Sequence, residues 1–319
     1  MEKVTVITTH DLDERLINKI RSVDPRIDLI VAADRQGVKD VIESADILFG
    51  ARVTREALRR AKRLKWIQTS SAGIERILFP ELVESDIILT NARGMHASTV
   101  AEHVMAFALV FARNLHIYLR NQASGIWDRA PGLPGLSGKT MGILGIGGIG
   151  KEVAKKAKAF DMRVVALKRK AVDTPPAHVD DLFYGKDGLL QLLELSDYVA
   201  VTLPLTRETT GLIGEYELKR MKRSAVLINV ARGAVVDEEA LIFALENGII
   251  RGAALDVFST EPLPSDSKLY SLPNVILTPH VAGTFEAYME TATELFCENL
   301  RRFLDGRPLL NVVSKDEGY

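Results

Sequence analysis

The sequence predicts an α/β protein of two doubly wound parallel sheets, one domain inserted into the other. Three observations predict it. Short β-rich runs alternate with helical patterns along almost the whole chain, the signature of parallel sheets covered by helices. The runs Ala225-Val-Leu-Ile-Asn-Val230 and Gly252-Ala-Ala-Leu-Asp-Val257 are continuously apolar rather than alternating, which suits strands buried on both faces. Two long helical segments flank a complete strand–helix series, as if the chain leaves one domain, builds another and returns.

Taken in order, Val4–Thr8, Ile27–Val31, Ile47–Phe49, Trp66–Thr69 and Ile87–Thr90 read as strands, with Leu12–Ile20 and Thr54–Arg63 as helices between them. A long helix is expected from Thr99, where Thr99-Val-Ala-Glu102 has capping-box spacing. Val100, Val104, Phe107, Phe111 and Leu115 then recur on one helical face. Pro131-Gly-Leu-Pro-Gly135 is a loop by composition. Strands resume at Met141–Gly145, Arg163–Leu167, Tyr198–Thr202, Val226–Val230, Ala253–Val257 and Val275–Leu277. The last helix runs from Phe285 to Leu304 with Met289, Ala292, Leu295, Phe296 and Phe303 on its apolar side, and Gly306 and Pro308 end it. The expected domains are 1–98 with 285–319, and 99–284.

Composition narrows the function. With 319 residues, 47% hydrophobic and 26% charged, the chain has the makeup of an ordinary two-domain globular protein. Its net charge of −1 gives no global field for nucleic acid or an anionic membrane. The one cysteine, Cys297, rules out an internal disulfide. The opening MEKVTVITTH is too polar for a signal peptide, and no run approaches a membrane span. A soluble cytoplasmic protein is expected.

Met141-Gly-Ile-Leu-Gly-Ile-Gly-Gly-Ile-Gly150 places G-x-G-x-x-G at Gly145, Gly147 and Gly150, after a strand and before the helical segment Lys151–Phe160. The first glycine permits a tight turn, the second lets backbone approach a pyrophosphate, and the third lets helix pack on strand. Free amides at the helix start favour phosphate. After the next strand a carboxylate would grip the ribose of NAD; here Lys168-Arg169-Lys170 stands instead, which suits the 2′-phosphate of NADP(H).

Three reactive side chains each follow an expected strand: Arg232, Glu261 and His280. Ligands of doubly wound sheets bind outside the carboxyl ends of the strands, so all three belong to one edge with the glycine loop. An arginine can hold a carboxylate with two hydrogen bonds, a histidine can give or take a proton near neutrality, and a glutamate can hold the imidazole.

Asn229-Val-Ala-Arg-Gly-Ala-Val-Val-Asp237, Asp256-Val-Phe-Ser-Thr-Glu-Pro-Leu-Pro264 and Thr278-Pro-His-Val-Ala-Gly283 closely resemble the signature blocks of the D-isomer-specific 2-hydroxyacid dehydrogenases. Asn91–His103, Leu203–Thr206 and Thr210–Ile213 also look like family blocks, so the resemblance covers nearly the whole chain. It implies a Rossmann nucleotide-binding domain inserted into a flavodoxin-like substrate domain. It also implies hydride transfer between a nicotinamide cofactor and a small 2-oxo acid or D-2-hydroxy acid, such as glyoxylate or hydroxypyruvate. Arg232 would orient the 2-oxo acid, His280 would donate the proton, and Glu261 would support His280. Ala72 and Gly73 would bind the substrate carboxylate. Gly148 and Ile149 would lie under the pyrophosphate, and Leu203 and Pro204 along the adenosine. Val230, Ala231, Asp256 and Gly283 would approach the nicotinamide end. Trp127 resembles a loop tryptophan near the family's dimer interface, which implies a homodimer.

Many family members carry an acid where this chain has Lys168, so NADP(H) is expected, with NAD(H) possible. Formate dehydrogenases of the superfamily pair their histidine with an amide, so Glu261 argues against formate. NAD-dependent phosphoglycerate oxidation is an alternative, weakened because no dedicated phosphate pocket is identified. A dinucleotide-sensing corepressor-like protein is another.

Plainer readings cover the rest. His103 and His116 are expected as packed or interface histidines. His10 and His178 read as loop residues, and His96 as lying just before the long helix. Arg55, Arg59, Arg60, Lys62, Arg63 and Lys65 read as a solvated face. Cys297 reads as packing. No Cys/His cluster has metal spacing, so no metal is expected. The acyl pocket is expected near Phe49, Gly50 and the loop around Ala72.

Overall fold

The computed structural model describes residues 3–32, 35–50, 53–74, 77–129 and 132–315; Pro131 of the expected loop lies outside them. The chain divides into two compact units, Met1–His96 with Phe285–Tyr319, and Ala97–Thr284.

The first unit carries β1 (Val4–Thr8), β2 (Ile27–Val31), β3 (Ile47–Phe49), β4 (Trp66–Gln68) and β5 (Ile88–Thr90). They form a parallel sheet in the order β2-β1-β3-β4-β5. Period-two alternation sends neighbouring residues to opposite faces. Ile7, Leu48, Ile67 and Leu89 pack on one side with Val38, Ile42, Ala57 and Leu82. Val6, Ile47, Phe49 and Trp66 pack on the other with Leu16, Ile20, Phe296 and Leu300. The last three of these include both ends of the chain: helix Glu14–Arg21, N-capped by Asp13, and helix Tyr288–Leu304 cover the same face. Phe296 stacks between Phe49 at 4.3 Å and Trp66 at 5.3 Å.

The second unit carries β6 (Thr140–Leu144), β7 (Arg163–Lys168), β8 (Asp181–Tyr184), β9 (Tyr198–Val201), β10 (Val226–Asn229), β11 (Gly252–Leu255) and β12 (Val275–Leu277). All are parallel, in the order β12-β11-β10-β9-β6-β7-β8. The strand order reverses between β6 and β9, the topological switch where such sheets bind ligands. Both faces are covered. Met141, Ile143, Val164, Ala200 and Ile228 meet helices Ala97–Ala112 and Gly148–Ala159. Leu144, Val165, Val199, Val201 and Leu227 meet helices Gly185–Leu195, Glu215–Arg220 and Glu238–Glu246.

Two local expectations are corrected. The long helix starts at Ala97, two residues before Thr99, so the Thr99–Glu102 capping box does not form; the Glu102 carboxylate instead lies 3.2 Å from the Ser98 hydroxyl. That helix also does not run through Leu115. Asn114, at φ 53°, breaks it, and a second helix spans Leu115–Ala123. The Asn114 side chain is satisfied by Gly132 O and Arg251, which makes the break a built feature. Strand β8 was not expected: it is a short, half-buried edge strand opened by Asp181, with an apolar stretch of only Leu182–Tyr184. Among the described residues no helix is long and apolar enough to cross a membrane.

Candidate active site

Strand register sets the site of the second unit. Leu144 pairs with Leu167 and Val201, Val201 with Asn229, Asn229 with Leu255, and Leu255 with Leu277. The segments after β6, β7, β9, β10, β11 and β12 therefore leave the sheet side by side on one edge. Those segments carry the glycine loop, Lys168, Leu203, Arg232, Glu261 and His280.

Two glycines of the loop, Gly145 and Gly150, are explained by space or backbone. Gly145 has φ 100°, and a Cβ there would stand 2.9 Å from Leu203 Cδ2. A Cβ on Gly150 would lie 2.3 Å from Gly145 O and 3.1 Å from Ile143 Cγ2. Around Gly147, by contrast, a Cβ would meet nothing within 4 Å. Gly147 is the N-cap of helix Gly148–Ala159, with no capping side chain and no acid in the first turn. Ile149 anchors that turn on the core. The result is an open cradle of amides that make no hydrogen bond to a described residue, and it fits a dinucleotide pyrophosphate. The Thr202 hydroxyl, 2.7 Å from Gly145 O, ties the loop to the segment that presents Leu203 and Pro204. Lys168 ends β7 half-buried, and Arg169 and Lys170 follow exposed.

Arg232 sits in a tight turn after β10. Asn229 Nδ2 donates to Arg232 O at 3.0 Å, and Ala231 N donates to Asn229 Oδ1 at 3.1 Å. A Cβ on Gly233 would fall 1.9 Å from the Phe258 carbonyl carbon, so only glycine lets this turn press against the segment leading to Glu261. The Arg232 guanidinium donates to Ala231 O at 2.7 Å. Val230 and Ala231 are buried on opposite faces of the sheet, so they offer a ligand backbone rather than side chain.

Glu261 bridges two partners. Its Oε1 accepts from Phe258 N at 3.1 Å, and its Oε2 lies 2.7 Å from His280 Nδ1. The His280 side chain is 47% exposed and that of Glu261 22%, so the imidazole's other nitrogen can meet a ligand while the carboxylate stays sheltered. Asp256, 1% exposed, accepts from Thr278 Oγ1 at 2.5 Å and from Val281 N and Ala282 N at 2.9 Å each. It thereby holds the loop that carries His280 and Gly283. A mainly apolar cavity of about 490 Å³, lined by Phe258, Leu263, Tyr270 and Leu277, adjoins Glu261 and His280.

In the first unit, Ala72 and Gly73 lie in a loop whose carbonyls from Ser70 to Gly73 are engaged. Ser70 O accepts from Tyr288, Ser71 O from Thr69 and Ala92 N, Ala72 O from Asn91, and Gly73 O from Ser71. The amides of Ala72 and Gly73 make no hydrogen bond to a described residue, and they fit an anion. Phe49 corrects the expected acyl pocket: it is 0% exposed and part of the core.

The remaining candidates fall to plainer roles. Five of the six residues of the basic run are paired: Arg55 and Arg59 with Glu81, Arg60 and Lys62 with Glu43, and Arg63 with Asp46. Burial pushes the Cys297 thiol up to about 11. Among the described residues no cluster of His, Cys, Asp or Glu could hold a metal. Sequence reasoning missed Thr278 and Tyr288 as supports. Thr278 stood two residues before His280 inside a quoted block; nothing local marked Tyr288.

Comparisons with known proteins converge. The family model described as "D-isomer specific 2-hydroxyacid dehydrogenase, NAD binding domain" matches residues 105–282. The chain is 34% identical to the D-3-phosphoglycerate dehydrogenase of Methanocaldococcus jannaschii, over 98% of its own length and only 59% of that protein's. It is 33% identical to the glyoxylate reductase of Korarchaeum cryptofilum, over 98% of this chain and 97% of that one. The crystal structure of a D-isomer specific 2-hydroxyacid dehydrogenase from Xanthobacter autotrophicus Py2, in complex with NADPH and MES, superposes with a TM-score of 0.85 at 30% identity, covering 100% of each chain.

Proposed function

From the premise that this chain belongs to the D-isomer specific 2-hydroxyacid dehydrogenases, oxidoreductases acting on the CH–OH group of donors, we propose an NADPH-dependent reductase of small 2-oxo acids, with glyoxylate and hydroxypyruvate as first substrates. The observation that carries the reading is the 2.7 Å contact of His280 Nδ1 with Glu261, which leaves Nε2 to meet a substrate oxygen. Bound nicotinamide supplies the hydride. Arg232 orients the 2-oxo acid through its carboxylate and carbonyl. His280 donates the Nε2 proton to the developing alkoxide, and Glu261 stabilises the imidazolium before transfer. Oxidation runs the same proton path backwards. Ala72 and Gly73 bind the substrate carboxylate through their amides.

In this reading Ala97–Thr284 is the dinucleotide-binding domain and the other unit the substrate domain. Gly145, Gly147, Gly148, Ile149 and Gly150 hold the pyrophosphate. Leu203 and Pro204 flank the adenosine. Val230, Ala231, Asp256 and Gly283 serve the nicotinamide end, Asp256 by holding the amides of Val281 and Ala282 in the loop that presents Gly283. Lys168, Arg169 and Lys170 select the 2′-phosphate; among the described residues Lys168 and Lys170 make no ion pair, and Lys168 lies at the end of β7 beside the glycine loop. The protein is a cytoplasmic homodimer, with Trp127, 95% exposed, and Ile126 as apolar contacts. The test is a panel of 2-oxo acids, with 3-phosphoglycerate as a control, assayed with both cofactors. NADPH-linked reduction of glyoxylate or hydroxypyruvate is expected. A strong preference for NADH, or turnover of 3-phosphoglycerate alone, would sink the reading.

A further inference from the structure

A hydrogen-bonded chain runs back from the His280 loop to a second histidine, on helix Ala97–Ala112. Asp256, buried, takes the Thr278 hydroxyl at 2.5 Å on Oδ1 and the amides of Val281 and Ala282 on its two oxygens. A carboxylate only accepts, so the single hydroxyl proton of Thr278 is committed to Asp256. The hydroxyl can then only accept from its other neighbour, and that neighbour is His103 Nε2 at 3.0 Å. His103 must therefore carry a proton on Nε2, which fixes its tautomer from the network alone. The ring is held edge-on by Phe107 at 4.4 Å. Burial pushes the His103 pKa down against the pull of Asp256, favouring this neutral form.

The end of the chain that matters is the backbone of His280. Its φ of 55° lies in the left-handed region, which costs a residue with a side chain and persists only where its surroundings impose it. Here they do. His280 N donates to Asp256 O at 2.9 Å and to Thr278 O at 3.0 Å, while the Asp256 carboxylate holds the next two amides. The direction in which the imidazole leaves the loop thus depends on Asp256 and Thr278 staying in register, and His103 is the donor that stands behind their hydroxyl–carboxylate bond.

We propose that His103 is a positioning residue for proton transfer at His280: by donating to Thr278 it locks that hydroxyl onto Asp256 and so fixes the loop that aims the imidazole. The proposal rests on reading His280 as the proton donor. Outer hydrogen bonds that orient a reactive group commonly matter about 10-fold or more.

The experiment compares His103→Leu, His103→Gln, Thr278→Val, the Leu/Val double variant and His280→Ala. Each is measured for kcat, for KM of NADPH and of the 2-oxo acid, and for melting temperature. Leucine keeps apolar packing on Phe107 and removes the donor; glutamine places an N–H near the position of Nε2. His103→Leu is expected to lower kcat about 10-fold with KM for NADPH nearly unchanged, and His103→Gln to recover most of that loss. The double variant is expected to be no slower than the slower single variant, because both cut the same chain. Wild-type kcat in His103→Leu overturns the proposal, as does a glutamine variant as slow as the leucine one. Should Thr278→Val fail to fold, the leucine–glutamine pair still decides. Wild-type turnover in His280→Ala would instead refute the active-site reading itself, which keeps the two failures apart.

Discussion

Two alanine substitutions three residues apart should have opposite consequences. At Gly150 the added Cβ would sit 2.3 Å from Gly145 O, so that carbonyl must retreat by about 1 Å to reach ordinary contact. Gly145 is not free to move. Its N–H donates to Leu167 O at 3.2 Å, and its carbonyl is 2.7 Å from the Thr202 hydroxyl. Overpacking of this kind costs about 1–3 kcal/mol, and each weakened hydrogen bond adds about 1 kcal/mol. Gly150→Ala should therefore lose roughly 2–4 kcal/mol of stability. At Gly147 nothing stands within 4 Å and φ is −84°, so the fold should accept alanine for about 1 kcal/mol or less, the N-cap preference alone. Its Cβ instead occupies the approach of the pyrophosphate. Losing one charge-assisted amide–phosphate bond, about 1.5–3 kcal/mol, weakens cofactor binding about 10- to 150-fold. Denaturant unfolding without cofactor, together with fluorescence titration of NADPH, separates the two effects. A Gly147→Ala protein that is stable and binds NADPH as wild type does would refute the assignment of the cradle.

Other consequences are as specific. Replacing Lys168 and Arg169 together by alanine removes about 1–2 kcal/mol of half-exposed charge attraction, so KM for NADPH should rise about 5- to 30-fold while that for NADH stays flat; equal changes would remove these residues from phosphate recognition. Glu261→Gln replaces a charge-assisted hydrogen bond by a neutral one, and kcat should fall about 5- to 30-fold with cofactor affinity intact; an unchanged kcat would show that the 2.7 Å contact is idle. Burial, the leading cause, holds His103 and His116 below the ordinary 6.5, against Asp256 at the first and with Arg120 and Arg251 assisting at the second. The unfolded chain then binds more protons in mild acid, so stability is complete above about pH 6.5 and falls as pH drops through that value. Melting temperatures across this range should decline, with a shallower slope in His116→Leu; a melting temperature that rose towards acid would contradict the sign.

The parts of this molecule that were legible in its sequence are those written over a few consecutive residues. The apolar runs of β10 and β11 announced strands buried on both faces, and the spacing of Gly145, Gly147 and Gly150 announced the turn. Arg232, Glu261 and His280 could be placed on one edge because parallel strands put their carboxyl ends together. What stayed hidden depends on partners far away in the chain. The break at Asn114 is made by Gly132 and Arg251, and no local pattern foretells it. Phe49 looked available to a substrate, yet Phe296 from the last helix stacks on it. Tyr288 reaches Ser70 across 218 positions, and His103 reaches Thr278 across 175. Such contacts have no period to read. They exist only once both ends of the chain have packed on one sheet, or a helix and a loop on the other.

The measurement that bears most directly on this enzyme is the oxidation of NADPH by purified protein with glyoxylate or hydroxypyruvate, for wild type and His280→Ala side by side. Steady turnover in the wild type is expected, with a loss of about 100-fold or more in the variant and NADPH affinity preserved. No turnover of any 2-oxo acid by the wild type, or equal turnover by both proteins, would contradict the assignment of Arg232, Glu261 and His280 as the reacting set.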